Sequence, residues 1–108
     1  MAEGRSRIIV AVFRHVVMLR WKPEATPEQR AAVETGLGAL PARIPEIRGY
    51  TIGPDAHVNE GNYDLVIVAD FDDVDGYLVY RDHPDHQAVI REHIAPILAE
   101  RAAVQHHR

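Results

Sequence analysis

The sequence predicts a single domain of the α+β class, with elements in the order βαββα(α)β, and three observations predict it. Two stretches alternate residue by residue in the period of a strand: Arg14–Trp21 and Tyr63–Phe71. One helix is punctuated at both ends, by Thr26-Pro27 at its start and Pro41 at its close. A His-Pro-Asp-His step at residues 83–86 divides the last helical pattern into two.

Taken in order, Met1–Arg7 is polar and reads as a loose terminus. Ile8–Trp21 is rich in Ile, Val and Phe and suits a strand. Its clearer half puts His15, Val17, Leu19 and Trp21 on one face, and Arg14, Val16, Met18 and Arg20 on the other. The first face is apolar except for His15, an inward-looking histidine. Lys22–Ala25 is a turn. Thr26 then caps a helix, with Pro27 in its first position, Gln29 completing a capping box, and Val33, Leu37 and Leu40 as its apolar stripe. Gly36 and Gly38 each cost that helix about 1 kcal/mol relative to alanine, which close packing or room for a ligand would offset.

Ile47–Gly53 reads as a second strand, with Tyr50 and Ile52 flanking Thr51. The loop Pro54–Asn62 is long enough to move, and its His57 is expected in solvent. Tyr63–Phe71 carries a wholly apolar face of Tyr63, Leu65, Ile67, Ala69 and Phe71; its other face holds Asp64, Val66, Val68 and Asp70. A sheet apolar on both faces needs cover on both sides: helices for one, a partner subunit for the other. Asp72 or Asp73 caps a short helix with Val74, Tyr77, Leu78 and Arg81 on its buried side. The helix ends by His83, and Pro84 opens the next. From His86, helical steps reach Ile90, Ile94 and Ile97, so His86 heads an aliphatic stripe and points inward; Pro96 bends or ends that helix. Leu98–Val104 is a weakly patterned last strand, and residues 105–108, with His106 and His107, a frayed tail.

The 108 residues, 46% hydrophobic and 26% charged, suit one core, spanning about residues 13–104. A chain this short buries roughly 65% of its unfolded surface, too little for a deep enclosed site without help from a second subunit. A net charge of −4 with no basic stripe argues against nucleic acid. The absence of cysteine rules out disulfides and thiolate chemistry and suits a cytoplasmic protein. The run Ile8–Phe13 is too short to span a membrane.

The strand opening on Arg14-His15-Val16-Val17, the entry Tyr63-Asp64-Leu65 and the spacing Tyr80…His83-Pro84-Asp85-His86 resemble the stress-responsive A/B barrel (Dabb) domain family over about Phe13–Val104. The resemblance implies a ferredoxin-like βαββαβ domain whose sheets pack face to face in a dimeric α+β barrel. It thus implies a homodimer, here through the face of Asp64, Val66 and Val68. A plant member closes a linear tetraketide thioester by intramolecular aldol condensation without a cofactor. Its catalytic tyrosine and histidine fall on Tyr80 and His86, and the histidine of its first strand on His15. A further pocket histidine falls on Leu65, and pocket aromatics of its first helix on Val33 or Leu37. The pair is therefore present while the substrate is left open.

Two readings of His86 stand side by side. As a general base it would remove a proton α to a carbonyl, with Tyr80 bonding the enolate or holding the base; as a structural residue it would only steady the Pro84 turn. His15 likewise lines a ligand site or is a satisfied core histidine. A metal held by His83, Asp85, His86 and His93 is disfavoured, because His86 and His93 lie about 10.5 Å apart along a helix axis. Asp64 and Asp70 read as solvated or paired across a dimer interface. The expected pocket lies between His15, Val17, Leu19, Leu65 and Ile67 of the sheet and Val33, Leu37, Tyr77, Tyr80, His86 and Ile90 of the helices. The expected function is a cofactor-independent cyclase or isomerase for a small polyketide-like or aromatic substrate. The alternatives are a stress-responsive ligand-binding dimer without activity and a cofactor-free monooxygenase of the same barrel type.

Overall fold

In the computed structural model, which describes residues 12–108, strand β1 (Phe13–Trp21) is followed by helix α1 (Pro27–Gly38), β2 (Gly49–Pro54) and β3 (Leu65–Phe71). Helices α2 (Val74–Asp82) and α3 (Pro84–Val89) and strand β4 (Leu98–His107) complete the order. The expectations for Met1–Arg7, and for the start of the first strand at residues 8–11, lie outside the described residues. The sheet runs β2-β3-β1-β4 with every neighbour antiparallel, which is the ferredoxin-like arrangement. Among the described residues no helix is long and apolar enough to cross a membrane.

Period-2 alternation decides which side of the sheet the helices cover. Phe13, His15, Val17, Leu19 and Trp21 of β1 are all buried, as are Leu65, Ile67, Ala69 and Phe71 of β3. Against them pack Val33, Leu37 and Leu40, then Tyr80, Val89, Ile94 and Ile97. The capping box at Thr26 and Gln29 is present in both directions. Gly36 is explained by close packing: a Cβ there would stand 3.3 Å from both γ-carbons of Val89 and 3.6 Å from the His93 ring. Gly38 has open space around it.

Several boundaries differ from the sequence reading. Ile47 belongs to the turn before β2, and Tyr63 precedes β3, its ring beneath the Arg20 guanidinium at 4.3 Å. Val74 is 42% exposed, whereas Tyr80 is buried, so α2 is rotated relative to the expected stripe. The loop 54–62 is braced by Asp55, which accepts from the His57 backbone and the Asn62 amide. The expected tail is strand: His107 pairs with Phe13 and His106 with Arg14. β4 starts at Leu98 as expected but runs three residues past Val104, to His107; the extension was hidden because neither face of the strand is fully covered. Arg101, Ala103 and Gln105 face the helix side yet stay exposed, so no apolar alternation marks them.

The helix after Pro84 does not run straight to Ile97. Pro96 has no N–H and crowds the carbonyl four residues back, so the chain widens before it. Ile90–Ile94 forms a π-turn in which the Ala95 N–H reaches the Ile90 carbonyl; Ala95–Ile97 is a short 3₁₀ turn into β4. Val89, not on the stripe counted from His86, is the residue that meets Gly36.

Candidate functional site

The His-Pro-Asp-His step makes the site through the hydrogen bonds it breaks. Pro84 supplies no donor, and the Asp85 N–H that would have served the Arg81 carbonyl is taken by Nδ1 of His83, 3.0 Å away, as the cap of α3. The orphaned Arg81 carbonyl is satisfied by His86 Nδ1 at 3.0 Å and the Gln87 amide at 2.6 Å. A carbonyl only accepts, so His86 must carry its proton on Nδ1, and its lone pair lies on Nε2. The backbone thus fixes both the position and the tautomer of this ring.

Two tyrosines one helical turn apart on α2 each face a histidine. The Tyr80 ring stacks on His86, centroids 4.1 Å apart and planes 27° apart, and Tyr77 lies 4.8 Å from the His15 ring. Phe71 supports both tyrosines from the sheet, at 5.8 Å from Tyr77 and 5.3 Å from Tyr80. The Tyr80 hydroxyl bonds that of Tyr50 at 2.9 Å. Burial holds the Tyr80 phenol far above its ordinary range and pushes Tyr50 up to about 12, so both stay protonated.

His15, only 4% exposed, is met at Nδ1 by the Gln105 side-chain amide nitrogen, 3.0 Å away. An amide nitrogen only donates, which leaves the His15 proton on Nε2. Burial above all, with the positive charge of Arg101 adding to it, lowers this imidazole to about 4. His86 is also lowered, chiefly by burial, while its bond to Arg81 opposes the fall. At neutral pH both rings are uncharged: one shows a free lone pair, the other an N–H.

Between sheet and helices lies a cavity of about 210 Å³. It brings together His15, Val17, Leu19, Leu37, Ile67, Tyr77, Tyr80, His86 and Ile90, all expected from the sequence. Val33 and Leu65 do not reach it: both side chains are enclosed in the core. Arg81, Gln87, Ile94, Leu98 and Arg101 line it unforeseen. Arg81 and Gln87 flank the His86 step, and a residue-by-residue reading of its hydrogen bonds could have found them. Arg101 carried no signal, because the weak pattern of β4 gave it no buried face to mark it. Among the described residues no three His, Asp or Glu side chains converge on a metal site. Asp64 and Asp70 are occupied within the chain, by the Trp21 N–H at 2.8 Å and by a two-pronged bond from Arg14 at 2.7 and 2.8 Å.

Among the described residues no helix covers the opposite sheet face. Register places Val68, Val16 and Val104 in one row and Val66, Met18 and Ala102 in the next. Met18 is 40% and Val104 60% exposed. The Arg14–Asp70 pair borders these rows at one end and Arg20–Glu100 at the other.

Comparison with known proteins agrees with this architecture. Residues 13–106 match the model of the stress responsive A/B barrel domain. A dimeric ferredoxin-like protein of unknown function from Thermobifida fusca is 43% identical, covering 96% of this chain and 97% of its own, with a TM-score of 0.83. A dimeric protein of ferredoxin-like fold from Bacteroides fragilis is 24% identical over 90% of this chain and 96% of its own, TM-score 0.78. A hydroxynitrile lyase from Passiflora edulis is 18% identical over 90% and 93%, TM-score 0.79, a likeness of fold. No curated protein matches the chain by sequence.

Proposed function

The chain belongs to the stress responsive A/B barrel domain family, and from that premise we propose that it is a cofactor-independent cyclase or isomerase for a small aromatic or short polyketide-like carbonyl compound, with His86 as the base. The observation that carries the reading is the state of His86. Its Nδ1–H is tied to the Arg81 carbonyl, burial keeps it neutral, and it lines an apolar cavity. Nε2 takes a proton from the carbon beside a carbonyl, and the C–H electron pair moves onto the carbonyl oxygen. The resulting enolate is reprotonated elsewhere, or attacks a second carbonyl of the same molecule, whose oxygen then receives the proton from the imidazolium. No further reactant is consumed. Tyr80, its hydroxyl engaged with Tyr50, serves by holding the base in a stack. The N–H of His15 bonds the oxyanion.

Size narrows the substrate. A cavity of about 150 Å³ takes benzene, so 210 Å³ admits one ring with a few substituents. The fold itself accommodates lyase chemistry in the Passiflora protein. Turnover and α-proton exchange of short aromatic β-ketone thioesters, followed by NMR in D₂O, test the reading. His86→Ala is expected to lower the enzymatic rate by about 10²–10⁴. An active wild type whose rate the substitution leaves unchanged removes His86 from the mechanism. The ligand-binding alternative draws on the same Tyr50–Tyr80 bond, which leaves the phenol without a direct part in the reaction.

The rows of half-buried Val16, Val66 and Val68 and exposed Met18 and Val104 are proposed as the homodimer face, apolar at the centre and rimmed by ion pairs. Val66 and Val68 lie in these rows, while Asp64 accepts from the Trp21 N–H of its own chain. Val68→Asp would place a charge at the centre of this face. It is expected to convert a dimer to a monomer in light scattering, with circular dichroism unchanged. A variant that stays dimeric would move the interface elsewhere.

A further inference from the structure

We propose that the cavity selects a small carbonyl compound bearing a carboxylate, and that Arg101 of β4 is the residue that recognises that group. The inference deepens the proposed function by naming the substrate class of the same site.

Two arginines and no carboxylate line the cavity. Arg81 is already bound by Asp82 at 2.8 and 3.1 Å. For Arg101, no carboxylate lies within ion-pairing distance among the described residues, although the chain is acidic overall. Its place in the fold is specific. Arg101 pairs in register with Leu19, and Gln105, four residues on along the same face of β4, pairs with His15. The helices leave this face uncovered, so the guanidinium sits at the cavity's edge, where a ligand is only partly removed from water. Its charge is felt at both histidines, whose protonation it opposes.

The polar groups facing a ligand therefore form an asymmetric set. His86 offers one acceptor, Gln87 its amide oxygen and Tyr77 a hydroxyl that can donate or accept, against one N–H of His15 without an acceptor among the described residues and a planar fork of donors on Arg101. Donors outnumber acceptors, and the single unneutralised charge is positive. A neutral ketone leaves the guanidinium unused; a carboxylate matches it in shape and charge. With the carboxylate at Arg101 near the rim, the hydrophobic part of the ligand lies against Val17, Ile67, Ile90 and Ile94.

Benzoate is the probe, with benzamide as its neutral isostere, each titrated into the full-length protein at neutral pH and followed by calorimetry and amide chemical shifts. Benzoate is expected to bind about tenfold or more tightly than benzamide, and Arg101→Gln to abolish that preference while leaving benzamide affinity as it was. Arg101→Lys, which keeps the charge but not the fork, should retain part of the preference. Arg91→Gln, an exposed arginine away from the cavity, should change nothing. Equal affinities for the two probes, a preference that survives Arg101→Gln, or no binding of either probe would overturn the inference. These measurements need no turnover. Carboxylate selectivity together with an unimpaired His86→Ala rate would sink the reaction and leave the recognition standing; the opposite pair of results would do the reverse.

Discussion

Phe71→Ala is expected to lower the stability of the domain by about 3–5 kcal/mol in chemical denaturation, the range found for emptying a large aromatic site in a core. Phe71 is completely buried, and its neighbours cannot collapse freely into the space. Tyr77 and Tyr80 are pinned to α2, and Gly76, whose Cβ position lies 3.6 Å from Cβ of Phe71, already brings that helix close to the strand. The loss is a large share of the roughly 5–15 kcal/mol that holds a domain of this size together. The consequence reaches the site, because the ring supports the tyrosines that face His15 and His86. Weaker near-ultraviolet ellipticity and loss of benzoate binding should accompany the fall in stability. A loss below about 1 kcal/mol would show that these rings are not coupled through Phe71.

Acidification is expected to begin destabilising the fold at a pH above the range in which carboxylates titrate. His15 has an ordinary value of 6.5 when the chain is unfolded and about 4 when folded. Between those limits the unfolded chain binds more protons, so stability rises with pH and is lost as pH falls from 6.5 towards 4. The full difference corresponds to about 3 kcal/mol, and His86, lowered in the same direction, adds to it. Asp70 and Asp72, held below their usual range by hydrogen bonds from Arg14 and Arg48, act at lower pH and do not confuse the window. Denaturation midpoints from pH 4 to 7 should slope steeply in the wild type and flatten in His15→Gln. A slope that the substitution leaves intact would mean that His15 accepts a proton without strain.

Much of this was legible in the chain, and the reason is that the informative residues obey local rules. β1 and β3 each have one covered and one uncovered face, so alternation is visible; α1 carries its own cap; Pro84 announces a break that has only one stereochemical outcome. The cavity's two histidines followed from those elements. What escaped notice depended on neighbours distant in sequence. The end of β4 is held by pairing to β1 rather than by a buried face, so Gln105–His107 looked like a frayed tail, and nothing along the strand marked Arg101 as part of the cavity. Val89 lies three residues after His86 and ahead of the π-turn at Ile90–Ile94, and went unmarked because steps of four from His86 lead to Ile90 instead. Tyr50 gains its meaning only from a hydroxyl thirty residues away.

Every hydrogen bond that orients the rings of this site is made by an uncharged partner: a peptide carbonyl for His86, an amide for His15, a phenol for Tyr80. Neutral contacts of this kind are little affected by ionic strength, whereas attraction between an exposed guanidinium and an anion fades once the Debye length shrinks from about 10 Å at 0.1 M to 3 Å at 1 M. Added salt therefore separates capture of a charged molecule from the geometry that acts on it: concentrated buffer should weaken uptake and leave the imidazoles where they are.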